Sequence, residues 1–446
     1  MRIMHSDIPA ALRERERNAA ADTAGGSGDE GDALDVGMGS GGCQNVSMVV
    51  CFADFSTIPA MQAHLPEPSP DAIEASSKLQ SLIVEEIHRQ GGWISFAQYM
   101  DLALYAPDLG YYSGGAVKLG KDGDFTTAPE MTSLFGETLA HAADDLMRQS
   151  SAHILEFGAG TGKLAADILT ECAAAGITVE HYSIVELSGE LRARQQQTLA
   201  EFPQVEWLDD FPPAFSGVVI GNEVLDAMPV SLVIKHDGRW HERGVVWKEG
   251  RFDYEDRPCA AELIEQIPEA DSLPDGYLTE VHPIAVGFMR TLASMLTAGQ
   301  EQNGKGGAAI LIDYGFPGSE FYLDQRRQGT LMCHYRHHSH PDPFYFPGLQ
   351  DITAHVDFTA MAYAAVRNGL EMLGYMSQAG FLMSAGIADR LLQTSPEDVQ
   401  RYLPKANAVQ KLTSPAEMGE LFKVLVVGND VVMDDRFDRA DQSRRL

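Results

Sequence analysis

Cysteine is scarce in this sequence, and its spacing matches neither a disulfide framework nor a metal site. The 446 residues contain five cysteines, an odd number, and no two of them form a C-x-x-C pair. This pattern gives no basis for structural disulfides or for a zinc site, and we predict no metal. Cysteine usage of this kind is typical of a reducing compartment, so we predict a cytoplasmic protein.

Long apolar runs are also missing. No apolar stretch approaches the roughly 18 residues that a membrane helix needs, so we predict no membrane insertion. The apolar segment at 46–55 is interrupted by polar residues and follows no basic segment, which argues against a secretory signal. The arginines within 1–20 are accompanied by Asp7, Glu14 and Glu16, and these carboxylates argue against an organelle transit peptide.

Positive charge is low relative to negative charge. The chain has 64 Asp and Glu residues against 33 Lys and Arg residues, which gives a formal net charge of -31. Such an acidic surface repels phosphate backbones and anionic lipid, so we expect no nucleic-acid partner. The same surface would attract a basic segment of a protein, but an acidic surface that serves only solubility is the alternative that we favour.

Composition and periodicity divide the chain into four predicted parts. Residues 1–70 form an acidic, glycine-rich tail that we expect to be disordered. Residues 71–150 form a helical N-terminal element that carries a long loop rich in aromatic residues. Residues 151–430 form a cofactor-binding domain with an insertion at about 230–300. Residues 431–446 form a polar C-terminal tail.

The pattern after residue 150 is an alternation of strands and helices. Strands are predicted at 154–157, 182–186, 205–208, 217–221 and 308–312, with helices at 163–175 and 190–201. This alternation is typical of a parallel sheet with helices on both faces. Between 230 and 254 the apolar residues recur every second position, with turns at Asp237-Gly238 and Glu249-Gly250. We therefore predict an α/β fold with a Rossmann-like sheet, a helical N-terminal element and an antiparallel β insertion.

A glycine-rich motif follows the first of these strands: Glu156-x-Gly158-x-Gly160-x-Gly162. Glycines at alternate positions let the backbone turn tightly and approach a ligand. A phosphate-binding P-loop would need a glycine in place of Phe157, and a dinucleotide-binding fingerprint would need one in place of Lys163. Both phosphate motifs therefore fail, and a tight turn that binds nothing is the alternative to a cofactor loop.

Carboxylates around this loop favour a cofactor without phosphate. Glu156 precedes the first glycine by two residues and can meet an ammonium group. Glu186 ends the next strand, where the ribose hydroxyls of a bound nucleoside would lie. Asp209 and Asp210 follow the third strand and can reach an adenine amine, and we assign Asn222 at the end of the fourth strand to the same site. A sulfonium and an ammonium suit these carboxylates, so we predict S-adenosyl-L-methionine as the cofactor.

Several further motifs resemble one known family, the MidA-type methyltransferases. They are Gly110-Tyr111-Tyr112, Gly123-Asp124-Phe125-x-Thr127-x-Pro129-Glu130, Phe135-Gly136-Glu137, Val185-Glu186-x-Ser188, Asn222-Glu223-Val224-Leu225-Asp226-Ala227-Met228-Pro229-Val230, Asp313-Tyr314-Gly315, Asp351-Ile352-Thr353-Ala354-x-Val356-Asp357-Phe358 and Met418-Gly419-Glu420-x-Phe422. Together with the glycine-rich motif they cover about residues 75–430 in order. The resemblance implies the class I fold of S-adenosylmethionine-dependent methyltransferases.

The resemblance also implies a type of acceptor. Mitochondrial members of that family are assembly factors of respiratory complex I, credited with symmetric dimethylation of an arginine on a complex I subunit. By resemblance, we expect transfer of methyl groups to an arginine of a protein substrate. A small-molecule methyltransferase on the same fold is one alternative, and a binding protein that chaperones a complex I subunit without essential catalysis is another.

Glu223 and Asp226 are the predicted catalytic residues. They follow the fourth strand, at the carboxyl edge where ligands bind in such sheets. A guanidinium group stays protonated, and carboxylates can bind its planar fork through two parallel hydrogen bonds. The alternative is that Asn222, Glu223 and Asp226 only cap a helix or bind loop backbone.

Two other groups of residues have more than one interpretation. Tyr111, Tyr112, Phe125 and Glu130 form either a lid over the cofactor or a structural aromatic cluster. The histidines between His334 and His340 lie among prolines and near Asp342, which favours a loop over a metal site.

Overall fold

A computed structural model of the chain describes residues 65–114 and 127–446. The predicted disordered tail before residue 65 therefore lies outside the described residues, as does the part of the aromatic loop that contains Phe125. The helices are Pro70–Arg89, Phe96–Tyr105, Ala128–Met131, Ser133–Met147, Lys163–Ala175, Gly189–Thr198, Ala261–Ile264, Pro283–Asn303, Gly318–Phe321, Phe358–Arg367, Gln378–Ser384, Ile387–Leu392, Val399–Thr413 and Met418–Leu421.

The strands of the described residues form three sheets and are numbered in chain order. They are β1 Ile94–Ser95, β2 His153–Phe157, β3 His181–Val185, β4 Val205–Leu208, β5 Val218–Asn222, β6 Ser231–His236, β7 Arg239–Lys248, β8 Arg251–Pro258, β9 Leu278–Val281, β10 Gly307–Phe316, β11 Met332–Tyr335, β12 His338–His340, β13 Asp351–Thr353, β14 Val356–Asp357, β15 Glu371–Ser377 and β16 Phe422–Asn429.

The central sheet carries the strands that the sequence predicts. Its order is β15-β16-β10-β5-β2-β3-β4, and β14 adds to the end of β10. Strands β2, β3, β4, β5 and β10 are parallel, whereas β16 is antiparallel to both of its neighbours. Because β2 and β5 are adjacent and parallel, the glycine-rich loop after β2 and the turn after β5 emerge side by side at the carboxyl edge.

Both faces of this sheet are buried because consecutive residues of its strands point to opposite sides. Ile154 and Val218 pack with the helices Ser133–Met147 and Lys163–Ala175 on one face. Their neighbours Leu155 and Val219 pack with Pro283–Asn303 and Phe358–Arg367 on the other face. The predicted α/β architecture with a Rossmann-like sheet is confirmed.

The second sheet is antiparallel and joins the N-terminal element to the β insertion, which are predicted from the sequence as separate parts. Its order is β1-β7-β6-β9, with β8 paired to β7. Strand β1 belongs to the N-terminal element, yet Ile94 pairs with Val245 of the insertion. The N-terminal helices and the insertion therefore share one core, in which Ile83, Tyr99 and Phe252 are buried. Within the predicted insertion the antiparallel strands end at Val281, and the helix that follows packs on the central sheet.

The third sheet corrects one sequence prediction. The histidine-rich segment does not form a loop, because β11 and β12 pair as a hairpin, and β13 pairs with β11 on its other side. Arg336 and His337 form the turn of the hairpin with positive φ angles.

In the C-terminal segment, Phe437 is buried and stacks on Phe381 at 5.4 Å between ring centroids. No helix within 65–114 or 127–446 is long and apolar enough to span a membrane.

Candidate cofactor and acceptor site

The glycine-rich loop connects β2 to the helix Lys163–Ala175 at the carboxyl edge of the central sheet. Gly158, Gly160 and Gly162 have φ angles of 65°, 53° and 82°. These values lie in the left-handed region, which residues with a Cβ atom rarely adopt. A Cβ atom on Gly158 would also lie 3.1 Å from the Val224 side chain. The three glycines are therefore needed for the shape of the loop.

A cavity of about 1590 Å³ opens over this loop. Its walls come from the carboxyl ends of the central strands, from the N-terminal element and from the third sheet. The loop glycines Gly158 and Gly160 line one part of it, and Tyr105, Tyr112 and Asp351 line another. One cavity is thus large enough for a nucleoside-containing cofactor and a side chain of an acceptor.

Glu156 lies in the wall beneath the loop. Its side chain is almost fully buried, at 2% exposure, and accepts a 2.8 Å hydrogen bond from the Tyr182 hydroxyl. Burial raises the pKa of Glu156 to about 7, although the hydrogen bond from Tyr182 acts in the opposite direction. A cation bound nearby would lower the pKa of this carboxyl group, because a positive charge stabilises the ionised form.

Glu186 directly follows β3, which ends one residue before the predicted strand end, and is held in place by two donors. Its carboxylate accepts hydrogen bonds from the Ser188 backbone N–H and from Gln195 Nε2, each at 2.8 Å. The same Gln195 Nε2 donates to the Gly160 carbonyl at 3.0 Å, so one buried amide joins the loop to Glu186. Sequence reasoning missed Gln195, because nothing in the run Gln195-Gln196-Gln197 distinguishes the buried residue from its neighbours.

The two aspartates after β4 have different surroundings. Asp210 lines the cavity beside Phe211, whose ring packs on Phe157 at 4.7 Å between centroids. The Asp209 side chain is 66% exposed and forms an ion pair with Arg192. Asp210 is therefore brought to the predicted cofactor site, and Asp209 is not.

The turn after β5 carries the other predicted residues. Glu223 has a φ of 55°, an uncommon value for a residue that is not glycine. The buried Asp313 on β10 holds this turn, since its Oδ2 atom accepts the backbone N–H groups of Val224, Leu225 and Asp226 at 3.1, 2.8 and 3.3 Å. No helix begins between β5 and β6, so Glu223 and Asp226 do not cap one.

Asn222 at the end of β5 and Glu223 and Asp226 in the turn all line the cavity. Asn222 donates from Nδ2 to Glu223 Oε1 at 3.0 Å. Asn222 Oδ1 and Asp226 Oδ1 are buried and have no hydrogen-bond partner among the described residues. A buried acceptor without a donor is costly, so both atoms are suited to a ligand that brings N–H groups.

Burial raises the pKa of the carboxyl groups in the turn and that of Asp313, which holds the turn. It raises the pKa of Glu223 to about 8, and the negative charge of Asp226 adds to the effect. Burial also raises the pKa of Asp226 to about 6 and that of Asp313 well above its ordinary value. The three groups cannot all be ionised at neutral pH without cost, unless a cation enters.

Carboxylic side chains outnumber lysines in the cavity wall. Lys163 and Lys411 are its lysines among the described residues, and Lys163 is already paired with Asp167 at 2.5 Å. Eleven acidic residues of the described part of the chain line the wall: Asp101, Asp108, Glu130, Glu156, Glu186, Glu190, Asp210, Glu223, Asp226, Asp351 and Glu417. The cavity is therefore suited to cationic ligands.

The predicted lid residues do not act as one group. Tyr111 is fully buried in the core of the N-terminal element, whereas Tyr112 lines the cavity. Glu130 also lines the cavity and accepts a 2.6 Å hydrogen bond from the Thr161 hydroxyl in the glycine-rich loop. His334 lines the cavity as well. Within 65–114 and 127–446, no cluster of three or more His, Cys, Asp or Glu side chains could hold a metal ion.

Residues 134–376 match a family model described as "Putative S-adenosyl-L-methionine-dependent methyltransferase". This match spans more than half of the chain. The chain belongs to this family. It is thus an S-adenosyl-L-methionine-dependent methyltransferase, and the cofactor predicted from the carboxylates around the loop is confirmed.

Solved and curated relatives agree with this assignment. A protein of Burkholderia thailandensis, solved with bound S-adenosyl-homocysteine, is 51% identical over 86% of this chain and 100% of its own, with a TM-score of 0.80. The bovine protein arginine methyltransferase NDUFAF7 is 30% identical over 75% of this chain and 80% of its own length. The Caenorhabditis elegans homologue of NDUFAF7 is 29% identical over 71% of this chain and 78% of its own. The class I methyltransferase fold expected from the resemblance is confirmed.

The two curated relatives contradict the predicted cytoplasmic location. The bovine and nematode proteins are both named as mitochondrial. The prediction was wrong in its reasoning, because cysteine usage separates reducing from oxidising compartments and does not identify the cytoplasm among the reducing ones.

The residues around the loop fit S-adenosylmethionine. The glycine backbone leaves room for close approach of a ligand, and Asn222 Oδ1 and the fixed Glu186 carboxylate offer acceptor atoms, as does Glu156 in its ionised form. An ammonium group and ribose hydroxyls supply donors to such atoms. Phe157 and Phe211 give an apolar surface beside Asp210 that suits an adenine ring.

Proposed function

We propose that this methyltransferase modifies guanidinium nitrogens of arginine in a protein substrate. The observation that supports this acceptor is the pair Glu223 and Asp226, two carboxyl groups beside the glycine-rich loop in a wall with few lysines. Asp226 Oδ1 has no hydrogen-bond partner among the described residues. A planar cation with several N–H groups would satisfy both carboxylates at once.

The cofactor roles are proposed on the same basis. Glu156 and Asn222 would bind the ammonium end of S-adenosylmethionine, and the loop from Gly158 to Gly162 would cover its methionyl part. Glu186 would accept hydrogen bonds from the ribose, with Asp210 near the adenine amine. When bound, S-adenosylmethionine supplies an electrophilic methyl group from its sulfonium.

The acceptor side requires both orientation and proton removal. A guanidinium nitrogen is a poor nucleophile while the positive charge is spread over all three nitrogens. We propose that Glu223 and Asp226 hold that charge on the nitrogens they contact and so leave electron density on the nitrogen that is methylated. That nitrogen must lose one proton, and we assign its acceptance to the ionised form of Glu223, because burial makes this carboxylate more basic than that of Asp226.

The proposed acceptor protein is a subunit of respiratory complex I. This part of the proposal is based on the resemblance to complex I assembly factors and on the similarity to proteins named as protein arginine methyltransferases. The net charge of -31 is compatible with a basic segment as the bound region.

The test is a labelling experiment with the whole protein. Wild-type protein is incubated with radiolabelled S-adenosylmethionine and a cell lysate that contains complex I subunits, and the labelled molecules are identified by mass spectrometry. We expect methylarginine in a protein. Label in lysine or only in small molecules would contradict the proposed acceptor.

A double variant separates catalysis from binding. Glu223→Gln with Asp226→Asn keeps the shape of the turn and removes both charges, so we expect normal cofactor affinity and loss of most methyl transfer. Glu262→Gln, an exposed carboxylate on the insertion, is the matched control. Transfer by the double variant at a near wild-type rate would exclude these two residues as the acceptor carboxylates. If the transfer-deficient variant still supports complex I assembly in cells, the binding role is the essential one.

A further inference from the structure

Two of the family motifs have no role in the proposed chemistry, although their residues meet at the cavity. Tyr112 comes from the N-terminal element, and Asp351 begins β13 of the third sheet. They lie 239 positions apart in the sequence, yet the Tyr112 hydroxyl donates to both carboxylate oxygens of Asp351 at 3.0 Å. Both residues line the cavity.

Tyr112 is also part of an aromatic wall. Its ring stacks on that of Tyr105 with 5.5 Å between centroids and 22° between planes, and both rings border the cavity. The buried ring of Tyr111 supports Tyr112 from the side at 5.0 Å. This wall is fixed, because the Tyr105 hydroxyl donates to the Ala227 carbonyl at 2.9 Å.

The wall and Asp351 are connected to the turn that carries Glu223 and Asp226. The backbone N–H of Ala354, three residues after Asp351, donates to the Asp226 carbonyl at 3.1 Å. Burial is the main cause of the raised pKa of Glu223, but the charges of Asp226 and Asp351 add to it. All three carboxyl groups line the same cavity.

We propose that Asp351 and the stacked rings of Tyr105 and Tyr112 form the acceptor-binding side of the cavity, where they bind the guanidinium group and select arginine over lysine. This inference rests on the proposed function. A guanidinium is flat and weakly hydrated, so one face can stack on an aromatic ring while its edges bind carboxylates. An ammonium is compact and strongly hydrated, and it has neither a flat face to stack on the ring nor a planar fork of N–H groups for the carboxylates.

Tyr112 would act as a positioning residue for Asp351. A carboxylate that accepts one hydroxyl through both oxygens is fixed in the plane of that contact. Asp351 is only 1% exposed, so its carboxylate has little room to rotate. Loss of the Tyr112 hydroxyl should therefore weaken the binding of a guanidinium and leave the cofactor site unchanged.

Binding of small peptides tests the proposal without the natural acceptor. The protein is loaded with S-adenosylhomocysteine, which cannot donate a methyl group, and titrated calorimetrically with acetyl-Gly-Arg-Gly-amide. Peptides with lysine or citrulline in place of arginine serve as comparisons, since citrulline has nearly the same shape without the charge. We expect the arginine peptide to bind at least roughly tenfold more tightly than either.

The variants then identify the residues. We expect Asp351→Asn to weaken binding of the arginine peptide roughly tenfold, and Tyr112→Phe to weaken it by a smaller factor, with unchanged affinity for S-adenosylhomocysteine in both. Glu262→Gln should bind like the wild type. Wild-type affinity of Asp351→Asn for the arginine peptide would overturn the proposal, as would a wild-type protein that does not prefer arginine.

If Asp351→Asn does not fold, Tyr112→Phe tests the proposal instead, because this variant keeps the ring and removes only the hydroxyl. Unchanged peptide affinity in this variant would then overturn the proposal. The labelling experiment is separate from this test. Methylarginine in that experiment, together with variants that bind the peptide normally, would reject only this inference, whereas absence of methylarginine would reject the proposed function itself.

Discussion

Replacement of Glu223 by glutamine should make the protein more stable at alkaline pH although it removes a proposed catalytic group. Burial raises the pKa of Glu223 from 4.5 to about 8. The folded state therefore holds this proton more tightly than the unfolded state, and the stability that this provides is lost as the pH rises from about 4.5 to about 8. Glutamine does not titrate, so the variant should not lose this contribution.

The expected size of this stability difference follows from the pKa shift of Glu223. Each pKa unit corresponds to about 1.4 kcal/mol, which gives an upper limit of about 5 kcal/mol for the whole shift. Because the side chain is half-buried and borders the cavity, we expect about 2–4 kcal/mol. In effect, the ionised form of Glu223 costs stability in the free protein, and a bound cation would offset that cost.

Urea denaturation at about pH 5 and about pH 8.5 measures this difference. The unfolding free energy of Glu223→Gln minus that of the wild type should increase by the stated amount between the two conditions. Glu262→Gln, which replaces an exposed carboxylate, should show almost no change. A stability difference between Glu223→Gln and the wild type that does not depend on pH would refute the argument that a half-buried, negatively charged setting raises the pKa of this carboxyl group.

The remaining predictions concern the cofactor. Gly160→Val should abolish binding of S-adenosylmethionine in a folded protein, because Gly160 has a φ of 53° that a β-branched residue cannot adopt without strain. Gly176→Val, at a φ of 70° and with open space around it, carries similar strain and should bind normally; calorimetry on both variants checks this. Glu186→Ala should weaken cofactor binding by about 2–3 kcal/mol if the carboxylate binds the ribose. Glu180→Ala, an exposed carboxylate just before β3, is its control, and a loss below roughly tenfold would assign Glu186 a structural role.

The sequence alone predicts the central part of this fold because its signals are local. The β4 strand is found at the predicted residues 205–208, and the first helix after the glycine-rich loop is found at the predicted 163–175. Both predicted hairpin turns, at Asp237-Gly238 and Glu249-Gly250, have the positive φ angles that tight hairpins need. Period, turn residues and glycine spacing act within about a dozen positions, so they can be read without tertiary contacts.

The carboxylates near the cofactor are only partly predictable. Their positions after the strands follow from the topology, which brings the carboxyl ends of parallel strands to one edge. Asp209 and Asp210 are adjacent and chemically identical, yet Asp209 pairs with Arg192 and Asp210 lines the cavity. Which of them faces a ligand depends on an ion pair across the fold that no local pattern encodes.

Only the tertiary structure decides how distant segments combine at the site. Ile94 joins the N-terminal element to the insertion through Val245, and Asp313 fixes a turn almost ninety positions earlier through three backbone N–H groups. The contact of Tyr112 with Asp351 spans 239 positions. These contacts form because burial of polar groups requires partners, and the nearest partner in space is set by packing of the sheets rather than by order in the chain.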